Sequence, residues 1–409
     1  MTAEKISLAA AWTGLGGYAL TAPISIAASQ VMFALAVAGF IGFWLTTGER
    51  FRLIFPPAAF LLAIAAYAVW RLVAMLAVGS DWVMIKEDWL FLMAVVGAVL
   101  FRDIKRLTLV LDVFAAGLII MGGYGVWQHF FGVDLYHGVL LDRMMFGYRA
   151  IGTFSTYLTF SGFFAVASIF LVAVGFSAPG KGRSAYYLLA SQIGLACILF
   201  NYSRSTIVSL VVGIIVLVLI IGAKYRKWVS LLLLLTLAVG LVISPDFLHR
   251  FKNLGGTEFS AEYANSRLAI WRTTLSMIEE KPIFGIGPGA FGEEYRVHRE
   301  NRTGRNLSHA HNDVLNTAAE SGLAGAVLFL LVWAVVLGKM YKGYKRCPDG
   351  FQKGLILGAF LASVVFLVMA QFEAFFADEE VRLLLMFIWG IGLAILGNLK
   401  ASEKLSEIA

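Results

Sequence analysis

The chain alternates long hydrophobic runs carrying few or no charges with short polar punctuation. Residues 24–46, 107–130, 151–176, 206–222 and 229–244 are runs long enough, or nearly so, to cross a hydrocarbon core of about 30 Å as helices. The same reading along the whole chain predicts spans at 6–22, 25–46, 55–77, 86–101, 107–131, 151–176, 185–201, 204–222, 229–244, 321–338, 354–372 and 381–397. All eight prolines fall at span ends or in loops, where neither a missing N–H nor a ring clash breaks a helix. Thr21-Ala22-Pro23 reads either as a tight turn between two spans or as a kink in one. The fold class is therefore an all-α integral membrane protein of about a dozen transmembrane helices. A long, partly helical loop separates the ninth from the tenth. The chain divides into spans one to nine over 1–244, the loop over 245–320, and three further spans with a short tail over 321–409.

Composition supports this. Hydrophobic residues make up 59% and charged residues 14% of the 409, against about a quarter charged in a soluble domain. The formal charge of +7 sits in short clusters between the runs rather than along one face, which argues for orientation in a membrane and against a nucleic-acid partner. Arg50 and Arg52; Arg102, Lys105 and Arg106; Lys181 and Arg183; Lys224, Arg226 and Lys227; and Lys339, Lys342, Lys345 and Arg346 all fall in alternate loops. The positive-inside rule then places those loops and both termini in the cytoplasm, and the 245–320 loop outside it. Two cysteines, one in a hydrophobic run and one in a basic loop, indicate neither a disulfide framework nor a thiolate metal site.

Inside the loop, Leu268, Trp271, Leu275 and Ile278 recur at helical spacing, with Asn265 or Ser266 as cap and Lys281-Pro282 as stop. The pattern predicts an amphipathic helix on the membrane surface or against the bundle, with Arg267 and Trp271 on one face and Arg272 pointing elsewhere. A second helix is expected to begin near Ser308 and run through Asn316 and Glu320 into the next span. Gly285-Ile286-Gly287-Pro288-Gly289 superficially matches a dinucleotide fingerprint, but no strand precedes it, and a tight turn is the expectation.

The polar cluster Ser308-His309-Ala310-His311-Asn312-Asp313 lies just before a span. A neutral imidazole there suits a general base near neutral pH; the same residues also suit a helix cap at a wet interface. His-x-His-x-Asp also occurs in metal sites, but no further His or carboxylate cluster is evident to complete one. Arg204, in Asn201-Tyr202-Ser203-Arg204-Ser205, is an ionisable group at membrane depth, which reads as functional or as a side chain snorkelling to the interface. Arg267 has the same two readings. Two guanidiniums converging on one point would suit a diphosphate. Arg143, Tyr148 and Arg149 lie in the other outward loop, and Arg71 near a span end, where each could join such a site.

His311-Asn312, nine residues, then Gly322-Leu323-Ala324-Gly325 resembles the His-Asn/Ser/Gln, nine residues, Gly-x-x-Gly signature of the O-antigen ligases. Where that signature often continues Thr-Thr, this chain has Ala326-Val327. Ser203-Arg204-Ser205, Arg267 to Trp271 and Pro282 to Gly289 recur in the order known for the O-antigen ligase and O-antigen polymerase superfamily. The resemblance covers roughly residues 150–340. It implies a multi-pass glycosyltransferase of the bacterial inner membrane with its site on the periplasmic side. The donor it implies is a glycan on undecaprenyl diphosphate, and the acceptor a lipid A-core sugar hydroxyl, with no cofactor and no metal. On this resemblance His311 is the base, and Arg204 and Arg267 hold the donor diphosphate. Asn312, Asp313, His309, Arg149, Arg143 and Arg272 are further candidates for contacting substrate or orienting His311. A polymerase, a protein O-oligosaccharyltransferase, and a transporter of lipid-linked saccharides are the competing readings.

Overall fold

The computed structural model describes residues 2–47, 57–144, 146–221, 266–299 and 307–408, with isolated positions between 226 and 234. Ten helices carry most of the hydrophobic runs: α1 (Ala3–Thr21), α2 (Ile26–Thr47), α3 (Ala58–Val78), α4 (Phe91–Leu100), α5 (Ile104–Phe131), α6 (Tyr157–Ser177), α7 (Lys181–Asn201), α8 (Arg204–Ile220), α11 (Asp313–Arg346) and α12 (Phe351–Met369). α13 (Glu379–Ile408) closes the bundle, and α9 (Arg267–Glu280) and α10 (Phe291–His298) form a satellite at one end. Eight of these helices are long and apolar enough to cross a membrane. The chain is an all-α, multi-pass membrane protein.

The hydrophobic pattern explains which helices lie where. From Thr159 to Gly175 every side chain of α6 is buried, as expected for a helix that is apolar all round and surrounded by others. α13 packs beside it, and Trp389 meets Trp333 of α11 edge to face at 5.2 Å while its indole N–H donates to Ser363 Oγ at 2.9 Å. α2 and α3 instead leave Val31, Leu45, Leu62 and Leu76 exposed, the apolar surface a bilayer would cover.

Several expectations need correction. The predicted span at 86–101 is a 3-10 helix over Trp82–Leu90 followed by only ten α-helical residues, too short to cross alone. Its polar residues are held in place: Asp88 pairs with Arg71, and Glu87 with Arg382, whose Nη2 donates at 3.2 Å. Arg71, raised above as a candidate for the diphosphate site, is a buried ion-pair partner of Asp88. The helix expected to begin near Ser308 begins at Asp313, because Asn312 accepts the Leu315 N–H at 3.0 Å as its N-cap. The amphipathic stripe of α9 is rotated from the predicted one: Ile270, Thr273, Thr274, Met277 and Ile278 are buried, whereas Leu275 is exposed. Ala318 and Ala319 of α11 accept the compact face, which hydrophobicity alone does not reveal.

Other expectations hold. Residues 22–24 form a turn between α1 and α2, not a kink. Ser266 caps α9 by accepting the Ala269 N–H at 3.2 Å, and the helix stops at Lys281. Gly285, Gly287 and Gly289 all have positive φ in a tight turn. Between α5 and α6 a two-stranded hairpin, β1 (Val133–Asp134) with β2 (Val139–Leu140), pairs antiparallel. The ninth predicted span, 229–244, lies outside the described residues but for isolated positions, and Asn265 lies outside them.

Candidate active site

The site assembles at the bundle end where α8, α11 and α13 begin and α12 stops. Its organiser is the segment 370–378 between α12 and α13. Asp313, at the start of α11, donates its backbone N–H to Ala370 O at 2.8 Å, while its carboxylate accepts the Phe376 N–H with both oxygens at 2.9 and 3.1 Å. These bonds pin the segment across the residues preceding α11. Glu373, 6% exposed, is thereby placed against His311, whose Nδ1 lies 2.7 Å from Glu373 Oε1.

Local backbone geometry turns His311 toward that carboxylate. Its φ is +49°, in the left-handed region that histidine tolerates better than most residues, immediately before the Asn312 cap. The Ala310 N–H donates to Asn316 Oδ1 at 3.1 Å and fixes the approach to this turn. His309 Nδ1 stands 3.4 Å from the same Glu373 oxygen and accepts the His311 backbone N–H at 3.4 Å. Burial pushes the His309 imidazole down, against the pull of Glu373. Burial also raises the Glu373 carboxyl, but the His311 hydrogen bond and the two imidazoles outweigh it and hold the group below its ordinary value. An ionised carboxylate only accepts, so His311 carries its proton on Nδ1 and leaves the Nε2 lone pair available.

Arg267 reaches the same segment from α9. Its Nε donates to Phe372 O at 3.1 Å, one residue from Glu373. Arg204 opens α8, where Ser203 Oγ, Thr206 Oγ1 and Ser161 Oγ form a hydroxyl chain with steps of 2.9 and 3.0 Å. α6 ties that end to the organiser, because Thr159 Oγ1 donates to Asp378 Oδ2 at 2.6 Å. Arg149 lies over the Tyr157 ring at 4.1 Å, at the start of α6, and Tyr202 donates its hydroxyl to Phe146 O at 2.6 Å. The hairpin loop is thus drawn to the Arg204 turn.

The structure brings His311, His309 and Arg267 together through one segment, and Arg204 and Arg149 connect to it by way of α6. It leaves Arg143 exposed in a bridge to Tyr148, and Arg272 exposed on α9. Neither Asn312 nor Asp313 orients His311: Asn312 caps α11 and Asp313 holds Phe376, while Glu373 makes the contact. Glu373 also overturns the expectation that no further carboxylate completes a His-x-His cluster, since His309, His311 and Glu373 offer donor atoms within 4.8 Å of one another. The only signal for it in sequence is an acid among apolar residues at a span end.

The Gly-x-x-Gly element explains how the satellite is seated. Gly322 interrupts α11 with φ +71° and ψ 176°. The carbonyls freed there are taken up: Ala319 O by the Ile286 N–H at 2.8 Å, Glu320 O by Gly287 at 3.0 Å, and Ser321 O by Trp70 Nε1 at 2.8 Å. In return the Leu323 N–H donates to Pro282 O at 2.9 Å. A Cβ at 322 would stand 1.9 Å from Ile283 O, so the docked loop requires glycine.

No curated protein sequence matches the chain. Residues 185–330 match the family profile described as O-antigen ligase, an interval running from α7 into α11 that contains Arg204, Arg267, His311 and both motif glycines but stops short of Glu373. Over that interval, and within the helical membrane fold around it, the chain is similar to the O-antigen ligase family.

Proposed function

We propose that this protein is an O-antigen ligase of the bacterial inner membrane, acting at its periplasmic face. It transfers a glycan from undecaprenyl diphosphate to a sugar hydroxyl of lipid A-core. The observation that carries the reading is the His311–Glu373 pair at 2.7 Å, with Arg267 bonded to the adjacent Phe372 carbonyl. A base and a phosphate-binding cation then flank one point.

In the reaction the acceptor hydroxyl oxygen bonds to the anomeric carbon as the bond from that carbon to the diphosphate oxygen breaks. The hydroxyl proton passes to His311 Nε2, and Glu373 stabilises the resulting imidazolium. The departing polyprenyl diphosphate gains negative charge, which Arg204 and Arg267 offset as fixed cations. Direct displacement inverts the anomeric centre, and the activated donor supplies the driving force. No step is routed through a metal. Asp313 acts by holding the Glu373 segment, and Arg149 by bracing the start of α6.

Replacing Glu373 with Gln puts an amide where the carboxylate accepts and removes the preference for the Nδ1 proton. Purified E373Q is expected to lose about 10²–10⁴-fold in transfer with donor affinity retained. Unchanged transfer by H311A or E373Q would sink the base assignment. In a deletion strain, long glycans accumulating on the lipid carrier above bare lipid A-core support ligation. Single repeat units on the core would instead mean polymerisation, and unchanged lipopolysaccharide would point to a protein acceptor or to transport.

A further inference from the structure

We propose that His309, His311 and Glu373 form a zinc-class cation site whose occupation switches the base off. The inference rests on the base reading above. Three donors of the type and number of an open zinc site converge here, two imidazole nitrogens and one carboxylate oxygen. Nδ1 of His309 already stands 3.4 Å from Glu373 Oε1, close to the edge of a tetrahedron with metal–ligand bonds of about 2.1 Å. The His311–Glu373 contact at 2.7 Å holds a proton where the cation would sit, and needs to open by only a fraction of an ångström. The carboxylate is presented by a buried backbone, since the Ala374 N–H donates to Oε1 at 3.2 Å. Both rings remain partly exposed, so a cation has access to them.

The consequence follows from imidazole tautomerism. In the empty site the single ring proton of His311 is on Nδ1 and Nε2 accepts. A cation bound at Nδ1 takes that lone pair and moves the proton to Nε2, which then donates and can no longer serve as base. Hard cations that require oxygen ligands, magnesium and calcium, do not satisfy two nitrogens and are not expected to compete.

The test uses the full-length protein in detergent. Co²⁺ is the optical probe and Zn²⁺ the competitor, with direct binding by calorimetry and transfer measured in parallel. Wild-type protein is expected to bind one Co²⁺ with the absorption of a four-coordinate nitrogen and oxygen site, and to release it to Zn²⁺ but not to Mg²⁺. His309→Ala and the size-conserving His309→Gln, each checked for an unchanged thermal transition, should weaken Zn²⁺ binding by at least about tenfold. Zn²⁺ should inhibit wild-type transfer and EDTA should restore it. Absence of Co²⁺ and Zn²⁺ binding, or equal binding by wild type and both variants, overturns the cation site and leaves the base assignment standing. If EDTA abolishes transfer and Zn²⁺ restores it, the cation is a catalyst, and both the inhibitory site and the metal-free reaction are wrong.

Discussion

Gly322→Ala tests whether the break in α11 seats the loop carrying residues 282–289. The native backbone, φ +71° with ψ 176°, belongs to a region almost confined to glycine. Forcing alanine into it costs about 1–3 kcal/mol. The new methyl carbon would also stand 1.9 Å from Ile283 O, so the loop must move away. Moving it breaks the bonds from Ile286, Gly287 and Leu323, each contributing about 0.5–1.5 kcal/mol. Together these give roughly 2.5–7.5 kcal/mol against the docked loop. Hydrogen exchange read by mass spectrometry over 282–289 should show protection falling by about a hundredfold or more, at 1.4 kcal/mol per decade. Gly338→Ala is the control: it lies within α11 with open space where its Cβ would be, and should leave exchange unchanged or slightly slowed. Native protection of 282–289 in Gly322→Ala would refute the claim that glycine is required there.

Two further predictions concern the site and its satellite. Arg267→Lys keeps the charge but cannot both donate to Phe372 O and present a planar fork to a diphosphate, so kcat/KM should fall about 10–100-fold; full activity would mean that charge alone suffices. His298 bonds to Glu280 at 2.6 Å and to Glu294 O at 2.9 Å, and the Glu280 hydrogen bond, against modest burial, raises its pKa. A raised folded-state value means that this stabilisation is fully present below the unfolded histidine value of about 6.5 and is lost as pH climbs through the folded value. Thermal transitions followed upward from about pH 6.5 should therefore decline in wild type and flatten in Glu280→Gln; parallel curves would remove the pair from the account.

What the sequence determined by itself was whatever depends on local pattern. Hydrophobic runs identify membrane helices because the bilayer leaves few alternatives for an unsatisfied backbone, and α5, α7 and α12 lie within a few residues of their predicted bounds, while α6 begins later than predicted, at Tyr157. The Ser266 cap, the Lys281 stop and the tight glycine turn were legible for the same reason, since each is decided within a handful of neighbours. His311, Arg204 and Arg267 stood out as candidates by residue type and position, and only their spacing in a known family gave them expected roles.

Tertiary structure decided what joins them. Glu373 is 62 residues from His311, and nothing local distinguishes it from an acid at a wet span end; the Asp313–Phe376 and Asp313–Ala370 bonds bring it in. The ion pairs of Glu87 with Arg382 and of Asp88 with Arg71 likewise form only once α13 and α3 have packed around the 3-10 segment. The buried stripe of α9 was misphased because its partner is the alanine surface of α11, and packing selects the face that fits rather than the most hydrophobic one. Hydrophobic pattern is set residue by residue, whereas a contact between two loops such as His311–Glu373 exists only once the helices beneath them have packed.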